Sequence, residues 1–211
     1  HAGLSVLDRI KHDVRTRHIP VHVVSVSDYT RTARSFGAAG YMLKPVKREE
    51  LERALTGLAK QLAQTVRRVL IVEDDATQLE ALQLLLSSQD VETIAAASAA
   101  ECFGKLKAET FDCMVLDLSL PDASGFEVLE QLSAEDAYSF PPTIVYTGRD
   151  LTPDEELRLR KFSKSIIIKG AKSPERLLDE VTLFLHQMVA ELPEQKREML
   201  ARSLNRDAAL E

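Results

Sequence analysis

From Arg67 onward, short apolar segments of the strand type alternate with segments of helical periodicity. Val69–Val72 is a continuous run rich in β-branched residues, which is typical of a strand buried on both faces of a sheet. Further runs of this type lie at 91–95, 113–116, 143–146 and 165–168. Leu79, Leu82 and Leu85 recur at helical spacing after the first run, and helical segments follow the other four. Five strands that alternate with five helices predict an α/β fold, a doubly wound five-stranded parallel sheet with helices on both faces.

Polar residues stand directly after four of these predicted strands. Glu73 and Asp74 follow the first strand, Asp117 the third, Thr147 the fourth and Lys169 the fifth. The carboxyl ends of parallel strands meet at one edge of a sheet, which is where ligands bind in such folds. A single placement of this kind is common by chance, but the set predicts a functional site at this edge.

Other acidic residues near these segments have simpler explanations. Asp75 is better explained as a charge at a helix start than as a ligand, and the same reading is the alternative for Glu73 and Asp74. Asp112 is expected at the entry to the third strand, and Asp122 in a loop. Helix starts are predicted at Ser98 and at Thr152, each followed three residues later by Glu, and at Ser173.

The residue types at the sheet edge suit phosphoryl transfer. A carboxylate such as Asp117 can accept a phosphoryl group and form an acyl phosphate. The transfer concentrates negative charge, which a divalent cation and the compact ammonium of Lys169 can neutralise. A hard cation such as Mg²⁺ prefers oxygen ligands, which Glu73 and Asp74 supply. The hydroxyl of Thr147 can donate a hydrogen bond to a phosphoryl oxygen.

Four motifs make the resemblance to a known family specific. They are Val69–Asp75, Asp112–Gly125, Ile144–Gly148 and Ile168–Lys169. Their residues and spacings resemble the receiver domain family of response regulators over about 120 residues, with a flavodoxin-like fold. The resemblance implies a module of two-component phosphorelay signalling, which takes its phosphoryl group from the phosphohistidine of a histidine kinase or a phosphotransfer domain.

The resemblance also implies a role for each residue at the sheet edge. Asp117 would be the phosphoacceptor, Thr147 the switch hydroxyl and Lys169 the partner of the phosphoryl group. The Mg²⁺ ligands would be Glu73, Asp74, Asp117 and the backbone carbonyl of Ser119.

Two positions depart from the family pattern. Gly170 stands where the family usually has Pro after the lysine, and Ile166 where it often has an aromatic residue. These departures favour an alternative function, a pseudo-receiver scaffold that is not phosphorylated and mediates protein–protein interaction. A metal-dependent phosphatase is a weaker alternative, because Ser119 stands where such enzymes carry a second acid.

Residues 1–65 contain a partial repeat of the same pattern. Gly3–Leu7 matches Gly125–Leu129, and a strand follows at the same distance in both. Ser25 and Lys44 occupy the positions that Thr147 and Lys169 hold in the complete copy. These residues are expected to form the C-terminal half of a first receiver, truncated and without its own phosphoacceptor.

The repeat leads to an expected domain organisation. Residues 1–65 are the truncated first receiver, 66–189 the complete receiver and 190–211 an exit linker helix, with a partner-binding helix as the alternative for the last segment. Tandem receivers of this kind are similar to the C-terminal region of hybrid sensor histidine kinases. The segment is not a kinase by itself, although the parent protein is expected to be one. Neighbouring receiver or kinase domains of the same chain would be its partners, and the open edge of the strand at 21–26 suggests a homodimer.

Composition excludes other classes of function. The net charge is −6, and neither part of the chain has the clustered basic residues that bind nucleic acid. No apolar run has the length to cross a bilayer, so no membrane contact by this segment is expected. Cys102 and Cys113 are the only cysteines and lack metal-ligand spacing, which favours reduced thiols and a cytoplasmic location.

Overall fold

Two separate parallel sheets divide the chain. The computed structural model describes residues 2–13, 16–63, 66–134, 141–163, 165–186 and 192–207. Two compact units are formed, one by 1–65 with 186–192 and the other by 66–185 with 193–211. Within the described ranges, no helix is both long enough and apolar enough to span a membrane.

The first unit contains a two-stranded parallel sheet. Its elements are α1 (Ala2–His12), β1 (His22–Ser25), α2 (Thr30–Ser35), β2 (Gly40–Leu43) and α3 (Arg48–Ala63). His22 lies opposite Gly40, and Ser25 lies opposite Leu43. The order of helix, strand, short helix, strand and helix is the predicted one, although β1 is one residue shorter at each end than the predicted strand. The predicted last residue of α3, Gln64, lies outside the described residues.

The second unit contains a five-stranded parallel sheet. Its strands are β3 (Arg67–Val72), β4 (Val91–Ala96), β5 (Cys113–Leu116), β6 (Thr143–Thr147) and β7 (Ser165–Ile168). Its helices are α4 (Ala76–Leu86), α5 (Ala99–Ala108), α6 (Gly125–Ala134), α7 (Pro153–Leu159), α8 (Ser173–Phe184) and α9 (Glu194–Asp207). The prediction that α8 continues to Met188 is wrong at Leu185 and His186, because the helix ends at Phe184 and His186 has a positive φ of 53°. Residues 187 and 188 lie outside the described residues.

The strand order in the second sheet is β4-β3-β5-β6-β7, with every neighbouring pair parallel. The residues of Val69–Val72 are at most 1% exposed, and all residues of β5 and β6 are buried. Continuous apolar runs are required at these places because helices cover both faces of the sheet. The predicted doubly wound fold is therefore confirmed. The chain places β4 on one side of β3 and β5, β6 and β7 on the other. The loops after β3 and β5 therefore turn to opposite faces of the sheet and leave a crevice at the carboxyl ends of these two strands.

Side-chain caps begin two helices as predicted. The Asp75 carboxylate accepts a hydrogen bond from the Gln78 N–H at 2.8 Å, so Asp75 is the N-cap of α4. Thr152 and Glu155 form a complete capping box at the start of α7, with Pro153 in the first turn.

The other two predicted helix starts differ from expectation. Ser98 caps α5 by accepting from the Glu101 N–H, but the Glu101 carboxylate accepts from the Ala97 N–H instead of completing a capping box. The prediction that Ser173 caps α8 is wrong. Ser173 is the first helical residue, and its hydroxyl bonds to Gly170 and, at 2.7 Å, to the buried Tyr146 hydroxyl.

Helix α9 begins directly after Pro193, at the expected place, and packs against α8. Leu200 is fully buried, and the Lys196 ammonium donates to the Ser87 carbonyl at the end of α4. Leu200 of this helix is therefore covered by the second unit itself.

Candidate functional site

Three of the predicted site residues extend the hydrogen bonding of the sheet one step past the strand ends. The Asp117 N–H donates to the Val72 carbonyl at 2.9 Å, which fixes the end of β5 against the end of β3. The Lys169 N–H donates to the Thr147 carbonyl at 2.7 Å and does the same for β7 and β6. In the same way, the Glu73 N–H donates to Ala96 on β4 at 3.0 Å. Residues far apart in sequence are thus brought to one edge of the sheet.

The side chain of Lys169 joins two of the acidic residues. Its ammonium lies 2.8 Å from Glu73 Oε2 and 2.5 Å from Asp117 Oδ2. Glu73 is 2% exposed and Asp117 is 6% exposed. Buried like charges of this kind require a counter-charge, which Lys169 supplies to both carboxylates at once.

This arrangement shifts the acidity of its members. Burial raises the pKa of Glu73 above its ordinary value. The hydrogen bond and positive charge of Lys169 lower the pKa of Glu73, but they do not outweigh burial. Burial alone would lower the pKa of Lys169. The hydrogen bonds and negative charges of Asp117 and Glu73 outweigh burial, so the pKa of Lys169 is raised and the ammonium stays charged.

The loop after β5 is held close to Asp117. The Ser119 N–H donates to Asp117 Oδ1 at 3.2 Å, and the Gly125 N–H donates to the Leu118 carbonyl at 3.0 Å. A Cβ atom on Gly125 would lie only 2.7 Å from the Asp117 carbonyl oxygen. Glycine at the start of α6 therefore permits a close approach of two backbones that no other residue allows.

A cavity of about 500 Å³ opens at this edge of the sheet. Of the predicted site residues, it is lined by Glu73, Asp74, Asp117, Ser119 and Lys169. Asp74 is exposed, in contrast to the two buried carboxylates.

Thr147 is placed differently from the residues that line this cavity. Its side chain is fully buried, and its Oγ1 accepts a hydrogen bond from the Arg149 N–H at 3.3 Å. Thr147 thus directly precedes two cavity-lining residues, Gly148 and Arg149, but its own hydroxyl is buried.

The donor set around the cavity suits a hydrated divalent cation. In the part of the chain that the structure describes, no three His, Cys, Asp or Glu side chains already form a metal cage. Mg²⁺ does not need one, because it keeps several waters and binds through one or two carboxylates. Of the residues described, four carboxylates line the cavity against two cations, Lys169 and Arg149, so a divalent cation would balance the excess negative charge.

Asp122 has a positioning role that its sequence context did not reveal. Its carboxylate accepts from the Ala99 N–H at 2.8 Å and from the Ala100 N–H at 2.9 Å, in the first turn of α5. These backbone hydrogen bonds hold the pKa of Asp122 below its ordinary value. The loop after the proposed phosphoacceptor is thereby attached to the first turn of α5, which precedes Asp122 by more than twenty residues. Asp112 accepts from the Arg68 N–H at 2.8 Å, in accord with its expected place at the entry to β5.

Comparison with known proteins agrees with this fold. The model of the response regulator receiver domain matches residues 69–182, which is more than half of the chain. The chain therefore belongs to the response regulator receiver domain family.

Two curated relatives show different coverage. The polar-differentiation response regulator DivK of Brucella anthropi is 27% identical over 119 residues, which are 56% of this chain and 96% of that protein. An uncharacterized 76.5 kDa protein of Thiocystis violacea is 27% identical over 147 residues. That match covers 69% of this chain, and the chain spans only 21% of the length of the Thiocystis protein.

Solved structures show the same fold for the second unit. A CheY-like receiver domain protein of Methanospirillum hungatei is 28% identical, with a TM-score of 0.51 over 60% of this chain and 99% of that one. CheY4 of Vibrio cholerae, a chemotaxis response regulator, is 23% identical, with a TM-score of 0.50 over 57% of this chain and 99% of that one. Together with the family match, these similarities are consistent with two-component signalling.

Proposed function

We propose that the second unit is a phosphorelay module in which Asp117 accepts a phosphoryl group from a phosphohistidine. A carboxylate oxygen of Asp117 attacks the phosphorus atom, and a new P–O bond forms. The P–N bond to the donor imidazole breaks, and its electron pair stays on the imidazole nitrogen, which takes up a proton. The product is an acyl phosphate on Asp117.

The observation that carries this proposal is the bridging position of Lys169. One ammonium contacts Asp117 and Glu73, which follow different strands. When Asp117 is phosphorylated, the same ammonium can bond to a phosphoryl oxygen without leaving the site. Preorganised positive charge of this kind stabilises the charge that develops during transfer.

A divalent cation completes the proposed site. Glu73, Asp74, Asp117 and the backbone carbonyl of Ser119 would hold Mg²⁺, because these four residues line one cavity. When bound, the ion supplies positive charge that draws the donor's phosphoryl oxygens toward Asp117. Thr147 would donate its hydroxyl to a phosphoryl oxygen by moving toward Asp117, and this movement would pass to α7, β7 and α8.

The test is incubation with a small-molecule phosphodonor and Mg²⁺, followed by measurement of the intact mass. The native chain is expected to gain the mass of one phosphoryl group, and Asp117→Asn is expected to gain none. Asp112→Asn is a matched control, because Asp112 is a second acidic residue on the same segment but lies at the opposite end of β5. Equal labelling of the native chain and Asp117→Asn would overturn the proposal.

A pseudo-receiver scaffold is the second candidate function. The specific observation in its favour is that Glu73 and Asp117 already have a partner in Lys169, together with Ile166 and Gly170 at the two departing positions. Titration with Mg²⁺ distinguishes the two functions. A phosphoacceptor binds the ion with loss of affinity in Glu73→Gln, whereas a scaffold shows no binding in either form.

The first unit is proposed to be the C-terminal half of another receiver. Its support is that the Lys44 N–H donates to the Ser25 carbonyl at 2.8 Å, the same backbone contact that joins Lys169 to Thr147. The repeat supports the division of 1–65 from 66–189, and 190–211 is proposed as the exit linker helix.

The wider context is proposed as a hybrid sensor histidine kinase in the cytoplasm. The tandem arrangement and the similarity to one segment of a longer Thiocystis protein support it. The histidine kinase or a phosphotransfer domain would be the phosphodonor, and neighbouring receiver or kinase domains would be partners. Val24 on β1 is 41% exposed, which supports a homodimer through the first unit.

A further inference from the structure

Arg149 shares a cavity with the proposed phosphoacceptor. It lines the same cavity as Asp117 and Lys169, two residues after the end of β6 defined by Thr147. The Arg149 backbone N–H donates to Thr147 Oγ1 at 3.3 Å, which positions the Arg149 backbone at the cavity wall. Among the described residues that line this cavity, Arg149 and Lys169 are the two with a positive charge.

The guanidinium of Arg149 is bound to Glu155 rather than to a residue of the site. It forms an ion pair with Glu155 Oε1, and its Cζ lies 5.8 Å from the centroid of the Phe126 ring. The side chain is 47% exposed. Exposed ion pairs of this type are weak, so Arg149 can exchange Glu155 for a stronger partner at small cost.

The other oxygen of Glu155 already has a separate task. Glu155 Oε2 accepts from the Thr152 N–H at 2.9 Å, which is one of the two hydrogen bonds of the capping box of α7, and also from the Thr152 hydroxyl at 3.1 Å. The cap therefore does not depend on Arg149. Loss of the ion pair would leave the start of α7 intact and would free the guanidinium.

Phosphorylation would create the stronger partner. A phosphoryl group carries close to two negative charges and offers several oxygen acceptors. Lys169 is already shared between Glu73 and Asp117, so a second cation is favourable. A guanidinium presents parallel N–H donors that match the spacing of phosphoryl oxygens, which an ammonium cannot do.

We propose that Arg149 is a phosphoryl-binding residue that pairs with Glu155 until Asp117 is phosphorylated and then bonds to the phosphoryl oxygens. The guanidinium must leave Glu155 before it can bind a phosphoryl group. The affinity of the unphosphorylated site for that group is therefore lowered by the free energy of the Arg149–Glu155 ion pair. Glu155 thus sets how readily the phosphorylated state forms. This inference rests on the proposed function of Asp117.

Beryllium fluoride in the presence of Mg²⁺ is the probe, since it mimics a phosphoryl group on a carboxylate. Isothermal titration calorimetry compares the native chain with three variants. Arg149→Ala is expected to bind about tenfold more weakly, because a charge-assisted hydrogen bond is lost from a half-exposed place. Glu155→Gln is expected to bind about threefold more tightly, because glutamine keeps the cap but not the ion pair.

Glu156→Gln is the matched control. Glu156 is the next residue of α7 and pairs with Arg160 at 3.5 Å, but it does not line the cavity. The affinity of Glu156→Gln for beryllium fluoride should therefore equal that of the native chain. Opposite shifts in Arg149→Ala and Glu155→Gln would support the proposal, since a general loss of stability cannot tighten binding.

The remaining outcomes separate the two proposals. Binding by the native chain with equal affinity in Arg149→Ala and Glu155→Gln would overturn the role of Arg149 alone. Weaker binding by both variants would also overturn it. No binding by the native chain would overturn the proposed function of Asp117 and, with it, this inference.

Discussion

Replacement of Gly125 by alanine is expected to disturb the phosphoacceptor loop more than its small size suggests. The added Cβ would lie 2.7 Å from the Asp117 carbonyl oxygen and 2.8 Å from the Leu118 Cα. Both are backbone atoms, so neither can rotate away. An ordinary contact begins at 3.4 Å, so the Asp117 carbonyl and α6 would have to separate by about 0.7 Å.

The expected cost is about 1–3 kcal/mol of unfolding free energy, the usual range for an extra methyl group in a packed site. The helix propensity of alanine offsets little of it, because Gly125 is the first residue of α6. Mg²⁺ affinity should fall as well, since the proposed ligands Asp117 and Ser119 belong to the displaced segment.

Urea unfolding followed by far-ultraviolet circular dichroism measures the stability change. Gly104→Ala in α5 is the matched control, because nothing lies within 4 Å of its added Cβ. That variant should be more stable than the native chain by about 0.5–1 kcal/mol. If Gly125→Ala were as stable as Gly104→Ala, the close approach at Asp117 would not be a constraint and the reasoning would be wrong.

Three further predictions concern residues around the site. Asp122→Asn should lower the midpoint of urea unfolding and weaken Mg²⁺ binding. The Asp122 carboxylate accepts one N–H on each oxygen, whereas an asparagine amide has only one accepting oxygen. Tyr146→Phe should cost about 0.5–1.5 kcal/mol in the same unfolding assay, because its buried hydrogen bond with Ser173 is lost. Cys102 and Cys113 should react with a thiol reagent only after denaturation, because both are buried and burial raises the pKa of Cys102 to about 12.

Each of these predictions has a clear contrary result. Native Mg²⁺ affinity in Asp122→Asn would show that the link to α5 does not position the loop. Native stability in Tyr146→Phe would mean that the Ser173 hydroxyl finds an equal partner elsewhere. Rapid labelling of Cys102 in the folded chain would contradict its burial in the core.

The placement of the site residues could be predicted because it depends on topology alone. Once Val69–Val72 is recognised as a buried parallel strand, the residues after each strand must reach the same edge. Asp117 and Lys169 therefore converge whatever the details of packing. The caps at Asp75 and Thr152 were predictable for a related reason, since their partners lie within three residues.

Contacts between distant segments could not be predicted in this way. Asp122 accepts from two N–H groups in the first turn of α5 because the loop after β5 passes the start of that helix, which only the folded sheet determines. Ser173 was expected to cap α8, but a buried Tyr146 hydroxyl competes for its oxygen. The pairing of Arg149 with Glu155 likewise depends on how α7 is placed beside the cavity.

The most direct test of the central claim is the intact mass of the chain after treatment with a phosphodonor and Mg²⁺, for the native protein and for Asp117→Asn. The account predicts one added phosphoryl group on the native protein and none on the variant, with loss of labelling when Mg²⁺ is removed by chelation. An unmodified native protein, or equal modification of Asp117→Asn, would contradict it.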